Sequence, residues 1–144
     1  MRMLRVKYNK LFVTDNTKIA CIHRQIGRVI MELKGKKVMV VGTGISGIGA
    51  IDLLNKAGAD CIIYDANEKL TEEAVAKKLN GNKAQIIIGE LADDITEKVE
   101  LLVISPGVPV DSPLVKKFEE AGVPVWGEIE LAYNYDKGRI IAIT

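Results

Sequence analysis

Residues 37–49 read K-V-M-V-V-G-T-G-I-S-G-I-G, and the fold is decided there. Val38, Met39, Val40 and Val41 form a short unbroken apolar run, the pattern of a strand buried on both faces of a parallel sheet. It passes directly into G-x-G-x-x-G at 42–47. Beyond it, Ile48, Ile51, Leu53, Leu54 and Ala57 recur at helical spacing until Gly58 stops the helix. Each glycine answers a separate need: Gly42 the tight strand-to-helix turn, Gly44 the approach of a phosphate to the backbone, Gly47 close packing of helix on strand. The helix start would then offer N–H groups and partial positive charge to an anion, with the Ser46 hydroxyl as an added donor.

Such a glycine motif is weak evidence alone, but its required context follows. A second apolar run, Cys61, Ile62, Ile63 and Tyr64, ends in Asp65, about 20 residues beyond the glycines. An acid there hydrogen-bonds a ribose hydroxyl or a base N–H. The competing reading is a ligand-free turn with Asp65 capping a loop. Spacing by itself favours a nucleotide, and NAD among nucleotides.

The remaining chain continues the alternation. A polar helix is expected over 70–79, a third strand over 85–89, and a short acidic turn or helix over 93–98. A fourth buried strand covers 101–104. It ends in Ser105-Pro106-Gly107, at a strand end where open parallel sheets hold ligands. Ser112 caps a helix with Pro113 at its first position, running to 121. A fifth strand lies at 123–126, with Pro124 marking a strand start or edge. Helical turns follow over 127–133, and a sixth apolar strand over 139–144. The expected fold is therefore α/β: a Rossmann-like doubly wound sheet, mostly or all parallel, of about six strands in a single domain.

At 144 residues and 48% hydrophobic content the chain suits one domain with a full core. Its apolar runs fall well short of the roughly 18 residues that span a bilayer, and the pattern of a secretory signal is missing. Cys21 and Cys61 are too few for a disulfide framework, and His23 is the only histidine, so neither a metal cluster nor a nucleophile–His pair is expected. A cytoplasmic location is the expectation. The net charge of +1 hides an imbalance: residues 1–30 carry seven Lys/Arg against one acid, +6, and the remainder thirteen against eighteen, −5. This marks a boundary near Met31. Residues 1–30, with a short strand around Val6 to Val13 and a basic helix over 19–30, read as a basic extension. It is a nucleic-acid or membrane arm, a structural extension, or upstream sequence translated ahead of a natural start at Met31. Gly27-Arg28 can be encoded by a purine-rich ribosome-binding sequence.

Together, L-K-G-K-K-V-M-V-V-G-T-G-I-S-G at 33–47, Asp65, S-P-G-V-P at 105–109, W-G-E-I-E-L-A-Y at 126–133 and G-R-I-I-A-I-T at 138–144 resemble the N-terminal domain of the Mur ligase family. The resemblance spans about 31–144, and S-P-G-V-P with G-E-I-E-L points to the branch that adds D-glutamate. It implies a domain that holds the UDP end of UDP-N-acetylmuramoyl-L-alanine for peptidoglycan precursor synthesis. Carried over by position, Ile45 and Ser46, between Gly42, Gly44 and Gly47, would meet uridine and diphosphate. Asp65 would accept from uracil or ribose, Ala66 and Asn67 would flank the base, and Gly107 of the Ser105-Pro106-Gly107 turn would close over it. Family members often carry a basic residue in place of Asn67.

The resemblance also implies a larger enzyme using ATP and magnesium, bound through a phosphate loop expected just beyond residue 144. The 31–144 region would then have no catalytic, metal or cofactor residues of its own and would be inactive alone. An NAD(P)-binding oxidoreductase domain and a stand-alone nucleotide-sugar module are the alternatives.

Overall fold

The structure is a computed structural model that describes residues 19–22, 31–135 and 140–143. Contacts divide the chain into two compact units, one being Arg28–Asp136 and the other combining the two ends of the chain. In the end unit, β1 (Ile19–Ile22) pairs antiparallel with a strand over Ile140–Ile143, with Ile19 opposite Ile143.

The larger unit runs β2 (Lys37–Val41), α1 (Ile45–Lys56), β3 (Asp60–Asp65), α2 (Glu72–Leu79), β4 (Gln85–Ile88), α3 (Asp93–Thr96), β5 (Leu101–Ile104), α4 (Pro113–Glu120), β6 (Val125–Gly127) and α5 (Glu128–Tyr135). Its five strands form one sheet in the order β4-β3-β2-β5-β6, every pair parallel. This is an α/β Rossmann-like sheet.

Period-two alternation explains why the strands are apolar throughout. In β2, Val38 and Val40 face one layer with Ile51 and Leu54 of α1, Val75 and Leu79 of α2 and Leu131 of α5. Met39 and Val41 face the other, with Val115 and Phe118 of α4. Val38, Met39 and Val40 are wholly shielded from solvent, and each such burial contributes about 1.5–3 kcal/mol. Cys61 is a core residue, and burial pushes its thiol up to about 11.

Helix limits follow local chemistry. Gly58 turns the chain after α1 at φ +78°, and Asn80 (φ +47°) and Gly81 (φ +89°) do so after α2. Thr71 caps α2 by accepting from the Ala74 N–H at 3.3 Å, and Ser112 caps α4 by accepting from Val115 at 3.4 Å. Pro124 precedes the edge strand β6 and contributes a carbonyl to Leu102 N–H at 2.9 Å, a role that needs no N–H of its own.

Two sequence expectations change. The apolar run near the end, Ile140–Ile143, is a strand, here β7, but it is not a sixth member of the parallel sheet; its partner is β1. Correspondingly, Ile19–Ile22 is a strand rather than the start of a basic helix. Apolarity specifies a strand without specifying the edge it pairs with, because backbone hydrogen bonds are indifferent to side-chain identity. The expected strand around Val6 to Val13 and residues 23–30 lie outside the described residues.

Candidate functional site

The strand order fixes where a ligand would sit. From β2 the chain turns to one side of the sheet, through α1 to β3; from β5 it turns to the other, through α4 to β6. The order reverses between these neighbours, and their carboxyl ends carry the glycine loop and Ser105-Pro106-Gly107.

Gly42 has φ +103°, a conformation L side chains rarely adopt, and a Cβ on it would lie 2.9 Å from Ser105 Oγ. The two loops therefore touch at a point where only glycine fits. A Cβ on Gly47 would fall 1.9 Å from the Gly42 carbonyl oxygen, so α1 packs against its own loop through the missing side chain. A Cβ on Gly44 meets nothing within 4 Å. Gly44 is the position open to an incoming group.

α1 begins without a side-chain cap and has no acid in its first turn. Its first N–H groups thus lack a side-chain cap, and its own first turn supplies no charge to answer the positive end of the helix dipole. Ile45, an apolar residue, stands 96% exposed, with Ser46 half-buried beside it.

Asp65 sits at the carboxyl end of β3. Its Oδ2 accepts two hydrogen bonds from Thr43, from N–H at 3.0 Å and Oγ1 at 2.7 Å. Its Oδ1 accepts from the Asn67 N–H at 3.1 Å. Burial raises the carboxyl, but the Thr43 hydroxyl, the Asn67 and Thr43 N–H groups and the charge of Lys78 outweigh it, holding Asp65 below the usual carboxylate range. Asp65 is ionised at neutral pH.

The backbone around Asp65 is tied on both sides. Gly42 N–H donates to the Tyr64 carbonyl at 2.7 Å, Gly89 N–H to the Asp65 carbonyl at 2.9 Å, and the Tyr64 hydroxyl to the Gly89 carbonyl at 2.9 Å. Ala66 and Asn67 are exposed; the Asn67 side-chain oxygen accepts from Lys69 N–H at 3.1 Å and so braces its own turn. The Lys78 ammonium reaches the Thr43 carbonyl at 3.5 Å. Ser105 is half-buried, with an Oγ that has no hydrogen-bond partner, and Pro106 and Gly107 are exposed.

Thus Gly42, Gly44, Ile45, Ser46, Gly47 and Asp65 gather on one side of the crevice and Ser105, Pro106 and Gly107 on the other, with Ala66 and Asn67 continuing from Asp65. Sequence reasoning missed Thr43, Lys78 and Gly89. Thr43 carried a readable signal, a hydroxyl between the first two glycines with an acid 22 positions on. Lys78 and Gly89 carried none, being brought in by α2 and β4. A groove of about 740 Å³ at the opposite, amino ends of β3 and β4 is lined by Asp60, Cys61 and Lys83, among others. It lies away from the switch point, and its acid, Asp60, is already paired with Lys37 at 3.2 Å.

The family model of the Mur ligase MurD-like N-terminal domain matches residues 36–127. The UDP-N-acetylmuramoylalanine–D-glutamate ligase of Lachnospira eligens is 70% identical over 114 residues, covering 79% of this chain and 25% of that protein. The enzyme of the same name from Lachnoclostridium phytofermentans is 50% identical over 115 residues, with the same coverage. The chain therefore spans about a quarter of the length of these curated relatives. Among solved structures, shikimate dehydrogenase from Aquifex aeolicus superposes with a TM-score of 0.50 at 19% identity, over 72% of this chain and 46% of that one, a likeness of fold alone. The sequence match runs from the strand before the glycine loop to the end of the last strand of the parallel sheet, and the chain belongs to the MurD-like N-terminal domain family of the Mur ligases.

Proposed function

We propose that this domain holds the UDP end of UDP-N-acetylmuramoyl-L-alanine. The reading rests on one observation above the rest: the uncapped start of α1 opens beside the bare Gly44 at the switch point, with ionised Asp65 at the next strand end. The diphosphate meets the N–H groups of Ile45 and Ser46 and the Ser46 hydroxyl. Asp65 accepts from uracil or ribose, Ala66 and Asn67 flank the base, and Ser105-Pro106-Gly107 forms the facing wall. The name of the relatives, which specifies a UDP-linked muramoylalanine and D-glutamate, supports this choice of nucleotide.

The parent enzyme joins D-glutamate to the alanine carboxyl with ATP and magnesium during peptidoglycan precursor synthesis in the cytoplasm. The domain contributes substrate binding, not the ligation step, and is inactive alone. No described helix is long and apolar enough to cross a membrane.

The test is a calorimetric or NMR titration with UDP and, in parallel, NAD. Saturable UDP binding with amide shifts at Ser46, Asp65 and Gly107 is the expected result. Saturable NAD binding with UDP silent would replace this reading with an oxidoreductase domain.

A further inference from the structure

We infer that Lys78 is a further binding residue of this site, its ammonium placed at the carbonyl before Gly44 to take up a phosphate oxygen of the bound nucleotide. The inference rests on the UDP reading above and deepens it.

Lys78 lies in the last turn of α2, three residues after buried Val75 and one before buried Leu79, at the border of the face that packs on the sheet. α2 follows β3, and β4 runs parallel to β3, so the helix returns from the carboxyl end of the sheet toward its amino end. Side chains on a helix lean toward the helix N-terminus. The lysine stem is thereby directed back toward the strand ends that carry the glycine loop, and its Nζ stands 3.5 Å from the Thr43 carbonyl oxygen. That carbonyl belongs to the peptide bond whose nitrogen is Gly44's, and Gly44 is the position where a Cβ would meet nothing within 4 Å.

The ammonium is held weakly where it stands. Its bond to Thr43 is at the outer limit of hydrogen-bond length, and the acceptor is neutral. Among the described residues Lys78 forms no ion pair, whereas Lys36, Lys37, Lys56, Lys98 and Lys117 each hold an acid. A phosphate oxygen beside Gly44 is a charged and therefore stronger acceptor for the same group. The site also needs a cation. Against burial, and after the hydrogen bonds from Thr43 and Asn67, the charge of Lys78 helps to hold the Asp65 carboxyl below the usual range. A diphosphate arriving near ionised Asp65 meets like charge, and the ammonium at the same loop offsets that repulsion.

A cation in the last turn also complements the dipole of α2, and Lys77 shares that turn. The pair separates the two roles: both lysines serve the helix end, but of the two Lys78 is the one bonded to the glycine loop.

The test titrates the wild-type chain, Lys78→Gln, Lys78→Arg and Lys77→Gln by calorimetry with UDP, ADP and uridine, and follows each variant's stability by chemical denaturation. In Lys78→Gln, UDP affinity is expected to fall about tenfold, the worth of one charge-assisted hydrogen bond. Uridine affinity should stay at the wild-type level, and UDP affinity should depend less steeply on salt. Lys78→Arg keeps the charge and should recover most of the loss. Lys77→Gln should bind UDP as the wild type does, with the same small change in stability as Lys78→Gln. Unchanged UDP affinity in Lys78→Gln would overturn the inference. So would an equal loss for UDP and uridine, which would make Lys78 a support for the loop, or an equal loss of UDP affinity in Lys77→Gln. A wild-type chain silent to UDP that binds ADP, and loses it in Lys78→Gln, would sink the UDP reading and leave the Lys78 inference standing. UDP bound equally by the wild type and Lys78→Gln would do the reverse, and a wild-type chain silent to both nucleotides would remove both.

Discussion

Helices α1 and α2 lie on the same face of the sheet and leave adjacent strands, yet they begin in opposite ways. α2 starts with Thr71, whose hydroxyl accepts from Ala74 N–H, and carries Glu72 and Glu73 in its first turn. Its orphan donors and its dipole are answered from within the chain. α1 starts at Gly44, with no side-chain cap and no first-turn acid. The same backbone geometry is finished with a side-chain cap in one helix and left without one in the other. Under the UDP reading proposed above, capping is what separates a structural helix start from a binding one in this sheet.

The comparison can be broken at its tightest point first. Gly47→Ala would place a methyl 1.9 Å from the Gly42 carbonyl oxygen, a backbone atom that cannot swing aside. Chemical denaturation should show a loss of about 3 kcal/mol. Near-wild-type stability would mean that α1 does not pack against its loop as described.

Gly44→Asp turns α1 into a copy of α2. Its Cβ meets no neighbour, and aspartate is a good cap. Folding stability should hold or rise by a few tenths of a kcal/mol, while UDP affinity drops about a hundredfold because a fixed carboxylate replaces the phosphate. Retained UDP affinity would show that the ligand does not use this helix start.

Asp65→Ala removes the acceptor at the neighbouring strand end and should weaken UDP binding by about 1.5–3 kcal/mol in calorimetry. The pH dependence has a definite sign. Asp65 is held below its unfolded value of about 3.9. Its contribution to stability is therefore fully present above that value and lost as pH falls through the lower folded value. The stability gap between wild type and Asp65→Ala should be flat near neutrality and close in acid. A gap that instead closed on going alkaline would contradict the hydrogen bonds that Thr43 and Asn67 donate to Asp65.

The smallest effect belongs to α2. Thr71→Ala should cost about 1 kcal/mol in thermal or chemical denaturation, the ordinary value of a lost cap, and leave UDP affinity unchanged. A parallel loss of affinity would mean the two helix starts are coupled.

The chain by itself determined the parallel strands, the glycine turn and the helix limits. Each depends on interactions among near neighbours in sequence: unbroken apolar runs for strands buried on both faces, glycine where φ is positive or a Cβ has no room, and Ser112-Pro113 or Asn80-Gly81 where a helix starts or stops. Asp65 was legible because its distance from the glycines follows from one strand-helix-strand unit. The run 140–143 shows the limit of such reading, since its apolarity declares a strand while the choice of β1 as partner depends on which edge the folded chain presents. Only the tertiary structure decided what Asp65 has left to offer. Thr43 is 22 positions from it and Gly89 a further 24, and neither separation has a periodicity that a sequence pattern could register. Parallel strand register brings them to one end of the sheet, and there a hydroxyl, a carboxylate and a backbone turn settle how many hydrogen bonds remain for a ligand.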